Sequence, residues 1–337
     1  MLRSPEDSPE KIEAGIVKCH FRFSGDAFNG FEWPICEIIG AKPGPRLCVS
    51  AGVHVNEVSS IEAAIDLQRM FRPEEMCGSV SIIPLINQPA RFHYNEYVCP
   101  EDNQNINFSF PGDPNGSFSE SLCDAITSQW TVNTDCYVDM HGGDLREEVA
   151  KFSIYQRTGE TAFDDRALSL AMCFDAEIVV GLPPGHMDAP GRPPTGFARQ
   201  RRFAIMSEAG SHGIVDKEAV EFHVQGVLNV ARLLGIIDSQ PPEFERPRIR
   251  CSDYVWVEAP VDGEFKAWVE PGNRVRRDQS LGELRDLFGD VIGHVLSPVD
   301  GFLLWRMTHP TLRTGAPVLA IAVEERAPAS GAKRPNQ

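Results

Sequence analysis

Two short stretches of the chain combine side chains that bind transition metals. In Ser50-Ala51-Gly52-Val53-His54-Val55-Asn56-Glu57 an imidazole and a carboxylate stand three residues apart, directly after an apolar run. At the start of a helix this spacing puts both on one side of the first turn, within reach of one ion. Asp139-Met140-His141-Gly142-Gly143 closes a second apolar run and offers another imidazole, with two glycines leaving room for a substrate. A catalytic zinc uses three protein ligands and keeps one position open for water. His54, Glu57 and His141 are the candidate set, for one Zn²⁺ per chain. Asp139 lies two residues before His141 on the same face of a strand, where it can orient the imidazole. Glu208, in Ser207-Glu208-Ala209-Gly210, ends a further strand beside a small-residue gap. A carboxylate there could serve as the general base that amide hydrolysis requires.

Each of these features has an ordinary alternative. With nine histidines and this acidic content, about one H-x-x-E/D match arises by chance. The chain holds a second one, His93-Tyr94-Asn95-Glu96, in an irregular stretch rather than at a strand-to-helix turn, and a near-match in His141-Gly-Gly-Asp144. Glu208 could equally be a helix-capping or salt-bridged carboxylate.

The elements that must position these residues alternate between strand-like and helix-like from Pro45 to Leu234. Strands are expected at Arg46–Ser50, Ser79–Ile86, Cys136–Met140, Lys151–Tyr155, Glu177–Val180 and Phe203–Met206. Helices are expected after Gly52, at Ser119–Trp130, at Ala162–Cys173 and at Val215–Leu234. Such alternation predicts an α/β sheet covered by helices on both faces. Asn87–Gly116 and Gly181–Arg202 read as long loops, which in compact domains are usually functional. The Pro- and charge-rich joint Gln240–Arg250 marks a boundary, and beyond it short β segments punctuated by Gly predict a small all-β barrel or sandwich. The expected division is a larger unit over 1–240, a β domain over 250–325 and a disordered tail over 326–337.

The 337 residues, 42% of them hydrophobic, suffice for a sizeable core, and the net charge of -16 argues against nucleic acid. No apolar run approaches a membrane span of roughly 20 residues, and Met1 to Glu13 lacks the apolar stretch of a secretory signal. Nine cysteines without a C-x-x-C pair read as reduced thiols, which points to the cytoplasm.

Taken in order, the motifs resemble those of the succinylglutamate desuccinylase/aspartoacylase family, a branch of the zinc carboxypeptidase-like hydrolases. Gly52-Val-His54-Val-Asn56-Glu57 resembles the family's G-x-H-G-[ND]-E, Asp139-Met-His141-Gly-Gly143 its D-x-H-x-G, and Glu208-Ala-Gly210 its E-x-G. Asn87-Gln-Pro89-Ala90 resembles N-P-x-A, and Phe110-Pro111-Gly112 its F-P-G. The resemblance covers nearly the whole chain. It implies a zinc-carboxypeptidase-like mixed sheet flanked by helices, His54, Glu57 and His141 as zinc ligands, Glu208 as base, and Asn87, Tyr97, Asn107 and Phe108 around the substrate. Two departures stand out. Where the family reads D-L-N-R, this chain reads Asn105-Ile106-Asn107-Phe108, and a second expected arginine falls on Tyr97. The arginine fork that grips a carboxylate is therefore absent at both positions. Arg192, or Arg199 to Arg202, could supply a cation from the other long loop.

The C-terminal segments around Ala259–Gly263 and Ser297–Gly301 are similar to biotinyl/lipoyl-type barrels. Leu281–Gly293 lacks the lysine such a carrier needs, so a role at the active-site rim or in an oligomer contact is expected instead. The resulting expectation is a zinc-dependent deacylase acting on a small N-acyl amino acid or related amide, possible as a homo-oligomer, with no nucleic acid or membrane partner. The rivals are a carboxypeptidase-type peptidase or amidase, and a metal-binding protein without catalysis that serves as a sensor or partner.

Overall fold

The computed structural model of the protein describes residues 2–3, 13–93, 97–244 and 248–325. The second H-x-x-E match runs into 94–96 and the expected disordered tail is 326–337, so both lie outside the described residues. In chain order the first elements are strands β1 (Leu2–Arg3), β2 (Gly15–Phe21), β3 (Trp33–Ile39) and β4 (Lys42–Ala51), helix α1 (Val58–Leu67), and β5 (Cys77–Ile83). Next come α2 (Phe118–Ala125), β6 (Cys136–His141), β7 (Glu147–Val149), β8 (Phe152–Gln156), α3 (Thr161–Ala171), β9 (Ile178–Leu182), α4 (Pro193–Arg199), β10 (Ala204–Glu208) and α5 (Lys217–Leu234). The remainder is all strand: β11 (Ile249–Glu258), β12 (Gly263–Ala267), β13 (Arg274–Val275), β14 (Ser280–Arg285), β15 (Val291–Leu296), β16 (Gly301–Met307), β17 (Thr311–Leu312) and β18 (Pro317–Glu324).

The helices begin where their sequences can satisfy free backbone N–H groups. Ser117 and Glu120 form a reciprocal capping box on α2. Asp216 caps α5, accepting the Ala219 N–H at 2.8 Å, and left-handed Gly235 ends it. Strands β4, β6 and β10, with β6, most of β10 and the C-terminal half of β4 buried, run parallel at the centre of a mixed sheet of order β1-β2-β3-β5-β4-β6-β10-β8-β9-β11-β18-β16-β13. One face packs an apolar cluster against α1, α3 and α5, including Leu67, Leu170 and Val227. The other packs Trp33, Phe110, Leu122 and Phe197 into a second cluster. Each parallel strand therefore reads as a continuous apolar run.

Of the two forms expected for the C-terminal segments, barrel or sandwich, the barrel is not seen. No closed barrel forms among the described residues. β11 continues the large sheet, pairing in parallel with β9 through Ile249↔Ile178, Arg250↔Val179 and Cys251↔Val180. β12, β14, β15 and β17 form a separate four-stranded sheet. The two sheets share the cluster of Phe265, Leu281, Leu284, Leu303 and Ile321. Without β11, β9 would present a row of unpaired backbone groups, and a paired edge is the more stable arrangement. β7 adds a second link, placing Glu147 opposite Met307 and Val149 opposite Trp305 of β16. No helix of the described residues is long and apolar enough to cross a membrane.

Candidate metal centre and active-site cavity

The parallel strands β4, β6 and β10 deliver three of the four reactive groups by their C-terminal ends. β6 ends at His141 and β10 at Glu208, and the two residues are register partners. β4 ends at Ala51, and the chain leaves the sheet through Gly52 at φ 65. A Cβ at Gly52 would meet Leu85 Cδ1 at 2.5 Å, so both the backbone angle and the packing select glycine. His54 follows in a turn closed by the Glu57 N–H donating to the His54 carbonyl at 3.3 Å. Glu57 is the residue that precedes α1. The pair is thus joined by the turn before the helix rather than by helical spacing.

His54, Glu57 and His141 are all buried, and their potential ligand atoms lie within 4.8 Å of one another. His54 Nδ1 is 2.6 Å from Glu57 Oε1, and His141 Nδ1 is 2.9 Å from Glu57 Oε2. The far side of each ring is occupied. His141 Nε2 meets Asp139 Oδ2 at 2.7 Å, and His54 Nε2 meets Asn105 Oδ1 at 3.0 Å. Both of those oxygens are acceptors, so each Nε2 donates, and Nδ1, beside Glu57, is the ring nitrogen each imidazole would offer to a bound ion. Among the described residues His141 Nδ1 has no partner in hydrogen-bonding geometry despite its distance from the carboxylate. Two nitrogens and one carboxylate oxygen converging in this way fit Zn²⁺.

Behind the site, Ser50 Oγ donates to Asp139 Oδ1 at 2.5 Å and lies 2.5 Å from the Tyr137 hydroxyl. The Gly142 N–H donates to Glu57 Oε2 at 3.1 Å. A Cβ at Gly142 would come within 2.3 Å of the Ala209 carbonyl, so glycine is what lets β6 and β10 close together here. Burial alone would push the Glu57 carboxyl up, but His54 and His141 hold it down at about 2. Burial would lower His141, yet Asp139 and Glu57 keep it well above the usual imidazole range. Glu208 is pushed well above the carboxylate range, chiefly by burial; His141 opposes that and Glu57 adds to it.

The site opens into a cavity of about 420 Å³ lined by His54, Glu57, Glu208 and both halves of the chain. β11 contributes Tyr254, Trp256 and Glu258, and β16 contributes Leu304, Trp305 and Met307. Tyr97, Asn107 and Phe108 line it as well. Tyr97 sets its ring edge-on to His54 at 5.4 Å, and Asn107 Oδ1 is buried without a partner among the described residues. Asn87 is placed differently. It is not among the lining residues, and its Nδ2 donates to the Val53 and Val98 carbonyls at 3.3 Å, tying two loops together.

Of the candidate arginines, only Arg192 lies in the cavity, stacked 4.6 Å from the Phe108 ring and 5.1 Å from Tyr254. Arg201 pairs with Glu160, and Arg202 donates to the Thr127 carbonyl at 2.9 Å. Asn105 was not singled out by sequence reasoning as a functional residue. Its partner, His54, is 51 positions away, and no local pattern marks a second-layer acceptor.

One further buried group braces Glu208. His223 of α5 contacts Ser207 Oγ through Nδ1 at 3.0 Å and the Ala209 carbonyl through Nε2 at 3.4 Å, on either side of the carboxylate. Burial lowers its pKa from 6.5 to about 4. The unfolded chain therefore binds a proton that the folded chain refuses between those two values, so stability rises with pH across that window and is level above it. In the metal-free protein this amounts to roughly 3 kcal/mol lost on acidification from about 6.5 to 4. Denaturant unfolding of the wild type and of His223→Gln at both pH values checks this, and equal pH slopes in the two proteins would refute it.

Residues 43–234 match the Succinylglutamate desuccinylase/Aspartoacylase catalytic domain. The protein belongs to that family, a class of deacylases, and the match spans every residue of the candidate metal centre. Among characterised relatives it is similar to N-alpha-acetyl-L-2,4-diaminobutyric acid deacetylase of Halomonas elongata, at 24% identity over 92% of this chain and 91% of the relative. Two solved structures share the whole architecture. A succinylglutamate desuccinylase/aspartoacylase from Rhodobacter sphaeroides superposes with a TM-score of 0.80 at 25% identity, covering 93% of this chain and 97% of that one. The product-bound ectoine utilization protein EutE (DoeB) of Ruegeria pomeroyi gives 0.81 at 21% identity, covering 94% and 98%.

Proposed function

We propose that the protein is a zinc-dependent deacylase that hydrolyses the amide of an N-acyl amino acid carrying a single free carboxylate near the scissile bond. The observation that carries this reading is the meeting, in one cavity, of the convergent His54–Glu57–His141 donors, the carboxylate Glu208 and a cation, Arg192, with no carboxylate partner among the described residues. His54 and His141 through Nδ1, with Glu57, would hold the ion, which when bound polarises the scissile carbonyl and lowers the pKa of a water.

Glu208 takes the proton from the attacking water and returns it to the leaving nitrogen. Its burial favours the protonated form, which suits the second of those transfers, and a nearby dication favours the ionised form needed for the first. Arg192, held between Phe108 and Tyr254, grips the substrate carboxylate with its guanidinium fork. The partnerless Asn107 Oδ1 is available to accept the amide N–H of the substrate. The relative from Halomonas elongata is named for an acetyl amide of an amino acid with one carboxylate, which agrees with this pocket. A binding protein without catalysis has no use for Glu208 at the mouth of the metal site, so the catalytic reading is preferred.

Among the described residues Arg192 is the only Arg or Lys that lines the cavity. A second carboxylate on the substrate therefore has no cationic partner, and an unpaired charge taken out of water is strongly unfavourable. Arg192→Ala is expected to lower kcat/KM on the order of 10²-fold, the cost of truncating one member of a buried charge pair. N-succinylglutamate and N-acetylaspartate are expected to be poor substrates of the zinc-loaded wild type. Steady-state kinetics tests both statements. Hydrolysis of either polycarboxylate with kcat/KM above roughly 10⁴ M⁻¹s⁻¹ would overturn the assignment of Arg192 as the sole clamp.

A further inference from the structure

Another carboxylate in the cavity is not used by this mechanism. Glu147, on β7, is only 4% exposed and lines the same space as Glu208. Its Oε2 accepts the Asp144 N–H at 2.9 Å, and Trp305, across the β7–β16 pairing, lines the same cavity. Among the described residues no Lys or Arg side chain pairs with it. A carboxylate buried without a cation is costly unless something else neutralises it, and burial raises this one to about 7.

The groups around it are of the kind that receive a cation. Trp305 stands edge-on to Trp256 at 5.1 Å, and Trp256 to Tyr254 at 6.1 Å. Indole faces attract ammonium groups, most strongly where water is excluded. Tyr254, Trp256 and Glu258 alternate on one face of β11, and all three line the cavity. Arg192 stacks on Tyr254 at one end of that row, and Glu258 adds a second carboxylate at the other. Alternate residues of a strand are about 7 Å apart. The cavity therefore presents a cation at one end and, further along the same strand, aromatic rings with carboxylates.

We infer that Glu147, Trp305 and Trp256, with Glu258 at the rim, form a subsite for a protonated side-chain amine of the substrate, so that the enzyme selects N-acyl amino acids that are cationic at the end of the side chain. This inference rests on the deacylase reading above and adds the chemistry of the side chain.

The test compares N-α-acetyl-L-ornithine with N-α-acetyl-L-norleucine, in which a methyl group replaces the ammonium. The zinc-loaded wild type is expected to favour the ornithine derivative in kcat/KM, and Glu147→Gln is expected to lower that preference on the order of 10²-fold, the loss of a charge-assisted contact to a buried carboxylate. A preference unchanged by the substitution, whether both rates hold or both fall together, overturns the subsite. So does a wild type that favours norleucine. Calorimetric titration with free L-ornithine and L-norleucine separates this result from failure of the deacylase reading. If no N-acyl amino acid is cleaved but ornithine binds more tightly than norleucine and loses that advantage in Glu147→Gln, the subsite stands and the reaction is another one. Equal binding of the two amino acids by the wild type counts against the subsite.

Discussion

Glu208→Gln is expected to retain one zinc per chain and to lose a factor on the order of 10²–10⁴ in kcat, the usual size of a general acid–base contribution. The amide keeps the volume and some of the hydrogen bonding of the carboxylate but cannot take a proton from water. His141, the register partner of Glu208 across β6 and β10, is untouched by the change, as are Glu57 and His54. KM should therefore move less than kcat, because Arg192 rather than Glu208 holds the substrate carboxylate. Metal analysis together with single-turnover kinetics checks both halves of the statement. Near-normal turnover by the metal-loaded variant would remove Glu208 from the mechanism. Loss of the metal would show that it serves the ion instead.

An effect as large is expected at the ligands. His54→Ala and His141→Ala each remove one of the two convergent Nδ1 atoms, leaving two protein donors where a catalytic site uses three. Stoichiometric zinc should be lost in both variants and activity should fall to background. Chelation of the wild type should do the same, reversibly. The two variants differ in a second respect. His141→Ala strands Asp139, which is fully buried, whereas His54→Ala frees Asn105, a neutral amide. The His141 variant should accordingly be the less stable of the two. One tight zinc per chain in either variant, measured by elemental analysis after dialysis, would rule out the ligand set.

The candidate ligands and the candidate base were legible in the sequence because metal chemistry restricts residue type and the strand-end position restricts place. His54, Glu57, His141 and Glu208 each follow an apolar run, and such runs can be read locally. What could not be read is whatever depends on a neighbour remote in the chain. Nothing around Ile249 announces that β11 will lie beside β9, since the apolar content of a strand does not name its partner. A Pro-rich joint suggested separation where the backbone in fact continues the sheet. For the same reason Glu147 drew no notice: it gains its surroundings from Trp305, which reaches it because β7 pairs with β16. Arg192 was one arginine among four candidates, and only its stacking on Phe108 and Tyr254 distinguishes it. Phe108 was read as the loss of a clamp, whereas in the folded chain it braces Arg192, the arginine proposed to take that place.

The β9–β11 seam has a consequence for how such a catalyst can diversify. Every group proposed to handle the ion or the proton lies before residue 210, while half of the cavity's aromatic wall, Tyr254, Trp256 and Trp305, lies after residue 249. A hydrogen-bonded seam holds that wall at a fixed height above the reactive centre, so exchanging Trp256 or Met307 changes what fits without disturbing where the water is activated. Selectivity can drift on one side of the seam while reactivity stays constant on the other. The same seam sets a limit on dissection. A fragment ending near residue 240 would keep all the proposed ligands, but it would expose the bare edge of β9 to other chains and leave the cavity with only part of its wall, Tyr97, Phe108 and Phe152 among its aromatic residues.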